Sequence, residues 1–426
     1  MNLESIHNKY ISSSGVTTDT RNIMPNSMFF ALTGEHFNGN LFAQQALDAG
    51  AAFCVVDQEV ETNAPEKIIR VNDTLEALQQ LANYHRNQFD IPVIGLTGSN
   101  GKTTTKELIH AVLSQKFNTI ATIGNLNNHI GVPLTLLRIN KDTEVAIVEM
   151  GANHQKEIEL LCEIANPDYG YITNFGKAHL EGFGGVEGVI KGKSELYAYL
   201  LQNHKTAFIN LNDPIQKEKS QNLKHLSFGA DAAADVVIEQ VEADPFVRVG
   251  FHNLIVQSQL IGIYNSNNMA AAITMGIHFG VADADIKKGL ENYIPQNNRS
   301  QIINRGSNKI IKDAYNANPS SMEVALNNIK QLEDAHKIAV LGDMFELGTD
   351  SAAEHKNIIE LALSSQLEGV YFVGTHFFEH AAAYEERAHF FNSIEDLKTG
   401  LQLDGLENKT ILIKGSRGMA LERLLE

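Results

Sequence analysis

Short, almost unbroken apolar runs separated by stretches of helical spacing organise this chain. Ile91-Pro92-Val93-Ile94-Gly95-Leu96, Val145-Ala146-Ile147-Val148 and Thr206-Ala207-Phe208-Ile209 place apolar side chains at nearly every position. Such runs suit strands buried on both faces of a parallel sheet. Tyr169 to Thr173 predicts a further strand, and helical periodicity spans 102–115, 155–165 and 186–201, so strand and helix alternate. A smaller α/β unit precedes them, with strands near 27–32 and 52–56 and helices near 42–49 and 74–88. Between 215 and 260 the pattern shortens to segments such as Phe246-Val247-Arg248-Val249-Gly250-Phe251, which predicts a small antiparallel appendage. A helix near 267–279 comes next, and 295–300 reads as a linker. Beyond it, apolar runs at 310–313, 338–342, 370–374 and 411–415 alternate with helical stretches, the pattern of a second doubly wound, Rossmann-like sheet. The expectation is an α/β chain of three units, 1–87, 88–297 and 298–426, the central one built on a mainly parallel sheet.

At 426 residues the chain is too long for one typical core, which agrees with several units. The net charge of -17, from 51 acidic and 34 basic side chains, excludes a nonspecific nucleic-acid binder, because no basic excess is available for phosphates. The two cysteines, Cys54 and Cys162, have neither a disulfide pattern nor metal-ligand spacing, and a reducing cytoplasm fits them. The start has no basic and apolar leader pattern, and no apolar run reaches the ~20 residues of a membrane span.

One segment carries specific chemistry. Gly98-Ser99-Asn100-Gly101-Lys102-Thr103-Thr104-Thr105 comes directly after the apolar run ending at Leu96. Glycines let backbone N–H groups approach phosphate oxygens, and a helix starting near Lys102 adds partial positive charge. In such a P-loop Lys102 reaches the β/γ-phosphates and the Thr103 hydroxyl holds Mg²⁺. The first glycine of the usual pattern falls on Leu96, with Gly95 and Gly98 on either side.

Other candidates stand at the carboxyl ends of strands, where open α/β sheets bind ligands. Glu149 ends the run 145–148 and suits a Mg²⁺ ligand beside the P-loop. His179 lies after the strand ending at Thr173; a lone histidine there is usually a loop or packing residue, and only its place at a carboxyl strand end offers a second-metal or phosphate role. Lys191 and Lys193 lie on one helix and, on composition alone, read as a solvated basic face. In Asp313-Ala314-Tyr315-Asn316-Ala317-Asn318-Pro319, Asn318 caps a helix that Pro319 begins, which leaves Asp313 and Asn316 for a ligand. Lys414-Gly415-Ser416-Arg417-Gly418 is a second glycine-containing turn, equally a carboxylate or phosphate site at the next helix N-terminus or a turn with exposed charges.

Taken together these segments resemble the Mur ligase family, the ATP-dependent amide ligases of peptidoglycan synthesis, over nearly the whole chain. The resemblance rests on Thr18-Asp19-Thr20-Arg21 with the adjoining Phe29 to Gly34, on Thr97 to Glu107, on Gly124 to Thr135 with Glu149-Met150-Gly151-Ala152, and on Asp313 to Pro319. Asn127-Asn128 and Tyr315-Asn316-Ala317-Asn318-Pro319 are similar to the branch that adds a dipeptide. The branch that adds the third amino acid usually carries Tyr-Ala-His-Thr-Pro there. The resemblance implies that Asp19, Thr20 and Arg21 hold the UDP end of UDP-N-acetylmuramoyl-tripeptide, and that the central unit binds ATP and Mg²⁺. It also implies that the C-terminal unit brings in D-alanyl-D-alanine. Gly98, Ser99, Asn100, Gly101, Lys102, Thr103, Thr104, Asn265, Asn268, Arg299 and Asp313 are the implied ATP contacts. Thr103, Glu149, His179 and a carbamylated Lys193 are the implied metal set. Lys102, Lys193, His179 and Arg299 are the implied catalytic groups. Asn127, Asn128, Asn316, Lys414, Ser416 and Arg417 are the expected substrate contacts, in a cytoplasmic monomer. Thr20 stands where serine is common in the family, and Asn38 where aspartate is frequent.

Overall fold

The computed structural model describes residues 2–295 and 299–426, apart from the side chain of Asp404. Of the expected linker 295–300, residues 296–298 lie outside the described residues, as does the expected boundary at 297/298. The central sheet has seven parallel strands in the spatial order 236–237, 224–229, 206–210, 169–172, 93–97, 145–149, 119–121. Strands Val93–Thr97, Val145–Glu149 and Thr206–Asn210 are buried at every position, the reason their sequences do not alternate. Helix Lys102–Leu113 buries Leu108, Ile109, Val112 and Leu113. Helix Asn265–His278 is buried through most of its length and packs against Phe208, Phe228 and the helix 102–113.

The strand Val93–Thr97 pairs with Val145–Glu149 on one side and with Tyr169–Ile172 on the other. Chain progression therefore reverses direction beside the P-loop strand, and the crevice at the carboxyl ends of 93–97 and 169–172 is the topological switch point.

A four-stranded parallel sheet, in the order 16–17, 28–30, 53–56, 68–70, forms the N-terminal unit. It joins the central one through helices Leu3–Ile11 and Thr74–Arg86. Tyr10 donates its hydroxyl to the Leu137 carbonyl, His85 Nε2 meets the Ile139 carbonyl at 2.8 Å, and Arg86 pairs with Asp168 at 2.7 Å. The C-terminal sheet runs 301–305, 308–313, 410–414, 337–342, 369–373, 389–391, parallel except for the antiparallel edge strand Gln301–Arg305.

The appendage expected over 215–260 is smaller than its sequence suggests. Pro214–Lys219 is a helix, and Lys224–Gly229 and Val236–Val237 extend the parallel sheet. Only 240–243, 246–251 and 254–261 form an antiparallel meander. The reason is the position near the end of the sheet: Lys224–Gly229 pairs along most of its length with 206–210 but over only two residues with 236–237, and its first residues are wet, so its pattern is half-polar whether parallel or antiparallel. Helices Gly131–Leu136 and Asp283–Glu291 and strands Thr119–Ala121, Gln301–Arg305 and His389–Phe391 were not expected from the pattern, being short or mostly polar.

Candidate active site

A cleft of about 1130 Å³ opens at the switch point. One wall is the P-loop with Asn127, Glu149 and Thr173–Gly176, and the other is Arg299, Ser300, Asp313–Asn318 and Lys414 of the C-terminal unit. Gly98 has φ +141°, and a Cβ there would stand 1.9 Å from Thr173 Oγ1, so only glycine lets the loop pass this strand end. Gly101, at φ +79°, begins the helix Lys102–Leu113, whose first N–H groups have no intrahelical acceptor and face an incoming anion.

The loop is braced from the neighbouring strand end. Ser99 N donates to the Asn174 carbonyl at 3.0 Å and Asn100 N to Asn174 Oδ1 at 3.1 Å. Thr173 Oγ1 and Asn174 Nδ2 donate to the Asn100 carbonyl at 2.6 and 2.9 Å. Lys102 folds back onto the Gly98 and Ser99 carbonyls at 2.7 and 3.3 Å. Burial lowers the Lys102 pKa; Glu149 opposes that shift and Arg299 adds to it.

Glu149 is buried, and its Oε1 accepts from Thr103 Oγ1 at 3.2 Å and Asn127 Nδ2 at 2.8 Å. Its Oε2 is buried with no hydrogen-bond partner among the described residues. A buried carboxylate oxygen left without a donor, beside a threonine hydroxyl at a P-loop, fits a divalent cation. No group of three or more His, Cys, Asp or Glu gathers into a metal site among the described residues. Mg²⁺ at such a place completes its shell with waters and substrate phosphates.

Lys193 and Lys191 separate cleanly. Lys191 is exposed, whereas Lys193 is fully buried, donates to the Ala152 carbonyl at 3.0 Å and lies 4.9 Å from the centre of the Phe183 ring. Burial, reinforced by Lys102, holds the Lys193 amine well below the usual lysine range. A neutral amine is the form that adds CO₂ to become a carbamate anion. Its solvated-face reading from composition is therefore wrong, because this helix face turns inward.

His179 lines the same cleft as Glu149 but is bonded to the C-terminal unit. It sits at φ 53° ahead of the short helix Leu180–Phe183, and its Nδ1 is bonded to Glu346 of the C-terminal unit, which lowers the Glu346 pKa. Asn265 and Asn268 are buried and bonded to each other at 2.8 Å, with Thr105 Oγ1 on Asn268 Oδ1 at 2.9 Å, so they tie helix 265–278 to the P-loop helix. The Arg299 guanidinium stacks 3.6 Å from the centre of the Tyr315 ring.

On the C-terminal wall, Asp313 accepts from Ser300 N at 3.2 Å and from Lys414 at 2.6 Å, and Lys414 also reaches the Asn316 carbonyl at 3.3 Å. Asn316 is exposed and lines the cleft. At the turn 414–418, for which an anion site and a turn with exposed charges are equal readings, Arg417–Met419 is a three-residue 3₁₀ turn and not the start of a longer helix. Ser416 is buried, with Oγ accepting from Phe345 N at 3.0 Å, and Arg417 pairs with Glu422 at 2.9 Å. Neither lines the cleft. Asn128 does line the cleft, with its Oδ1 accepting from Ile130 N and Gly131 N at 3.1 and 2.9 Å ahead of the helix Gly131–Leu136. Asp19, Thr20 and Arg21 are remote from the cleft lining; Arg21 grips Asp19 at 2.8 Å, holding that carboxyl down at about 2.

The residue pattern overlooks Asn174, Tyr315 and Glu346, and reads Asn318 only as a cap. Asn174 had a usable signal, since it stands just past the strand that pairs with the P-loop strand.

Three family models match the chain: "Mur ligase family, catalytic domain" over 12–86, "Mur ligase middle domain" over 96–276 and "Mur ligase, glutamate ligase domain" over 298–417. A Bacillus subtilis UDP-N-acetylmuramoyl-tripeptide–D-alanyl-D-alanine ligase is 37% identical, covering 97% of this chain and 92% of its own. The Escherichia coli protein of that name is 34% identical, over 97% and 93%. A crystal structure of MurF from Acinetobacter baumannii superposes with a TM-score of 0.88 at 31% identity, over 99% and 97%. MurF from Thermotoga maritima, solved in complex with ADP, gives 0.84 at 26%, over 98% and 97%. With relatives of this identity along its whole length, and a three-unit α/β fold that superposes on theirs, the chain belongs to the Mur ligase family.

Proposed function

We propose that this chain joins D-alanyl-D-alanine to UDP-N-acetylmuramoyl-tripeptide in peptidoglycan precursor synthesis, converting ATP to ADP and phosphate. The observation that carries the reading is the cleft itself, which sets a P-loop and a buried, half-satisfied Glu149 against a second wall bearing Arg299, Asp313 and Asn316. The full-length relatives that share this fold bear that activity in their names.

The three domains are 1–87, 88–297 and 298–426, holding the UDP end of the tripeptide substrate, ATP, and the dipeptide in turn. Asp19, Thr20 and Arg21 take the UDP end, and Asn316 meets the dipeptide. The tripeptide's terminal carboxylate attacks the γ-phosphorus, the bond to the ADP oxygen breaks, and an acyl phosphate forms. The dipeptide amine then attacks the acyl carbon, loses a proton, and phosphate leaves. Lys102, the free N–H groups of the P-loop helix and Arg299 hold and neutralise the transferring phosphoryl group, which is mainly positioning and electrostatics. Thr103 and Glu149 would hold Mg²⁺, His179, once released from Glu346, and carbamylated Lys193 would serve a second ion, and the metal would supply charge neutralisation at the phosphates. The two walls shield the acyl phosphate from water.

No helix among the described residues is long and apolar enough to cross a membrane. The same reading takes the chain as a cytoplasmic monomer, which its two buried free cysteines suit.

The test is ADP release and product mass with ATP, UDP-N-acetylmuramoyl-tripeptide and D-alanyl-D-alanine, each omitted in turn. Release that needs all three, with a product heavier by the dipeptide residue mass, is expected. ADP release at the full rate without either substrate would overturn the reading.

A further inference from the structure

The P-loop and the C-terminal unit meet at one side-chain contact that the chemistry above does not use. Asn318 Nδ2 donates to Asn100 Oδ1 at 2.8 Å, across 218 residues of sequence. Asn318 also caps the helix Pro319–Gln331: its Oδ1 accepts from Ser321 N at 2.9 Å, and its own N–H donates to Ser321 Oγ at 3.0 Å. The cap dictates which end of the amide faces Ser321, because only an oxygen accepts from an N–H. The NH₂ end is thereby aimed at Asn100.

Asn100 is equally committed. Its N–H and carbonyl are bonded to Asn174 and Thr173, so its side chain is held at a fixed place on the loop. Beside the bridge, Gly176 is pressed between both partners: a Cβ there would lie 2.9 Å from Asn100 Nδ2 and 3.1 Å from Ser320 Cβ. Lys177 N donates to Ser320 Oγ at 2.8 Å and closes the junction.

We propose that Asn318 is a positioning residue whose side-chain amide couples docking of the C-terminal unit to the P-loop through Asn100. It acts on the second wall of the cleft, not on the reacting atoms. The consequence for turnover rests on the ligase reading; the docking itself does not.

Serine is as good an N-cap as asparagine but is too short to reach Asn100, so Asn318→Ser removes the bridge and keeps the cap. Asn100→Ala removes the bridge from the other side, and Asn318→Ala removes bridge and cap together. One neutral hydrogen bond, worth about 1 kcal/mol, predicts a fall in kcat of roughly fivefold in Asn318→Ser and Asn100→Ala. For Asn318→Ser the ATP KM stays within about twofold and the melting temperature stays near wild type, whereas Asn318→Ala melts lower. The double variant Asn100→Ala/Asn318→Ser is no slower than the slower single one, since both remove the same contact. Small-angle scattering gives a larger radius of gyration for Asn318→Ser and Asn100→Ala than for wild type. Equal radii in all three proteins overturn the proposal, whatever the kinetics. So do a serine variant as unstable as the alanine one, and single losses that multiply in the double variant. If the wild-type protein does not ligate, the functional reading fails, and the radii alone still decide the coupling.

Discussion

Two glycine-bearing turns leave strand ends with a lysine in or beside them, and only one begins a long helix. Gly98–Thr105 leads into a helix of 12 residues, whereas Gly415–Gly418 leads into a 3₁₀ turn of three. The first gathers free N–H donors and the second has too few. Their lysines differ as much. Lys102 rests on two carbonyls of its own loop, an arrangement that an incoming phosphate can displace. Lys414 is buried against the Asp313 carboxylate, so its charge is already matched. A glycine and a lysine at a strand end are thus not enough; the length of the helix after the turn, and the group facing the cation, decide.

The largest expected effect is at the first turn. Lys102→Ala should lose at least about 100-fold in ATP turnover, with an unchanged circular dichroism spectrum, because a donor at the developing charge is worth that much. ADP formation near the wild-type rate would remove the distinction between the turns.

Lys193→Ala should lose about as much, and formate or acetate should partly restore the rate by filling the carbamate position. Lys191→Ala should stay within about twofold, since its side chain is exposed on the opposite face. The comparison belongs at saturating Mg²⁺. A reversal of the two would mean that the buried amine is only a packing group.

At the second turn the expected loss is in stability. Lys414→Met leaves the Asp313 carboxylate without its cation and should cost about 3 kcal/mol in urea unfolding. Arg417→Ala, which opens an exposed pair with Glu422, should cost less than about 1 kcal/mol. If Arg417→Ala instead raises the KM for the dipeptide, this turn binds substrate after all.

The smallest effect concerns a buried basic group with no carboxylate facing it. His85 is bonded to the Ile139 carbonyl and to His7, and burial lowers the pKa of both histidines. Lys414 has the Asp313 carboxylate against it, whereas burial favours the neutral form of His85. The unfolded chain takes up protons below about pH 6.5 and the folded one does so only at lower pH, so stability falls as pH drops through that range. Each such histidine contributes a slope of at most about 1.4 kcal/mol per pH unit. His85→Gln should flatten the fall between pH 7 and 5.5 in thermal melts; an equal slope in both proteins would place the sensitivity elsewhere.

Much of this was legible along the chain, and the exceptions have physical reasons. The strands 93–97, 145–149 and 206–210 announce themselves because both faces are dry. The strands 224–229 and 236–237 at the end of that sheet do not, since a half-wet strand looks alike in either direction. Lys102, Thr103 and Glu149 were readable from strand-end position. Lys193 was not readable from composition, because burial is a property of which helix face packs inward. The bond between His179 and Glu346 and the one between Asn100 and Asn318 join residues far apart in sequence, and no local pattern encodes such a meeting.

The separation of Asn100 from Asn318 also sets a schedule during synthesis. At about 5–20 residues per second, the 218 residues between them take a ribosome roughly 10–40 s to add. The P-loop is made at the start of that interval and Asn318 at its end, and Lys414, on the same second wall, comes later still. The site thus draws on nearly the whole chain, and a nascent chain lacks one wall of its cleft until synthesis is almost complete.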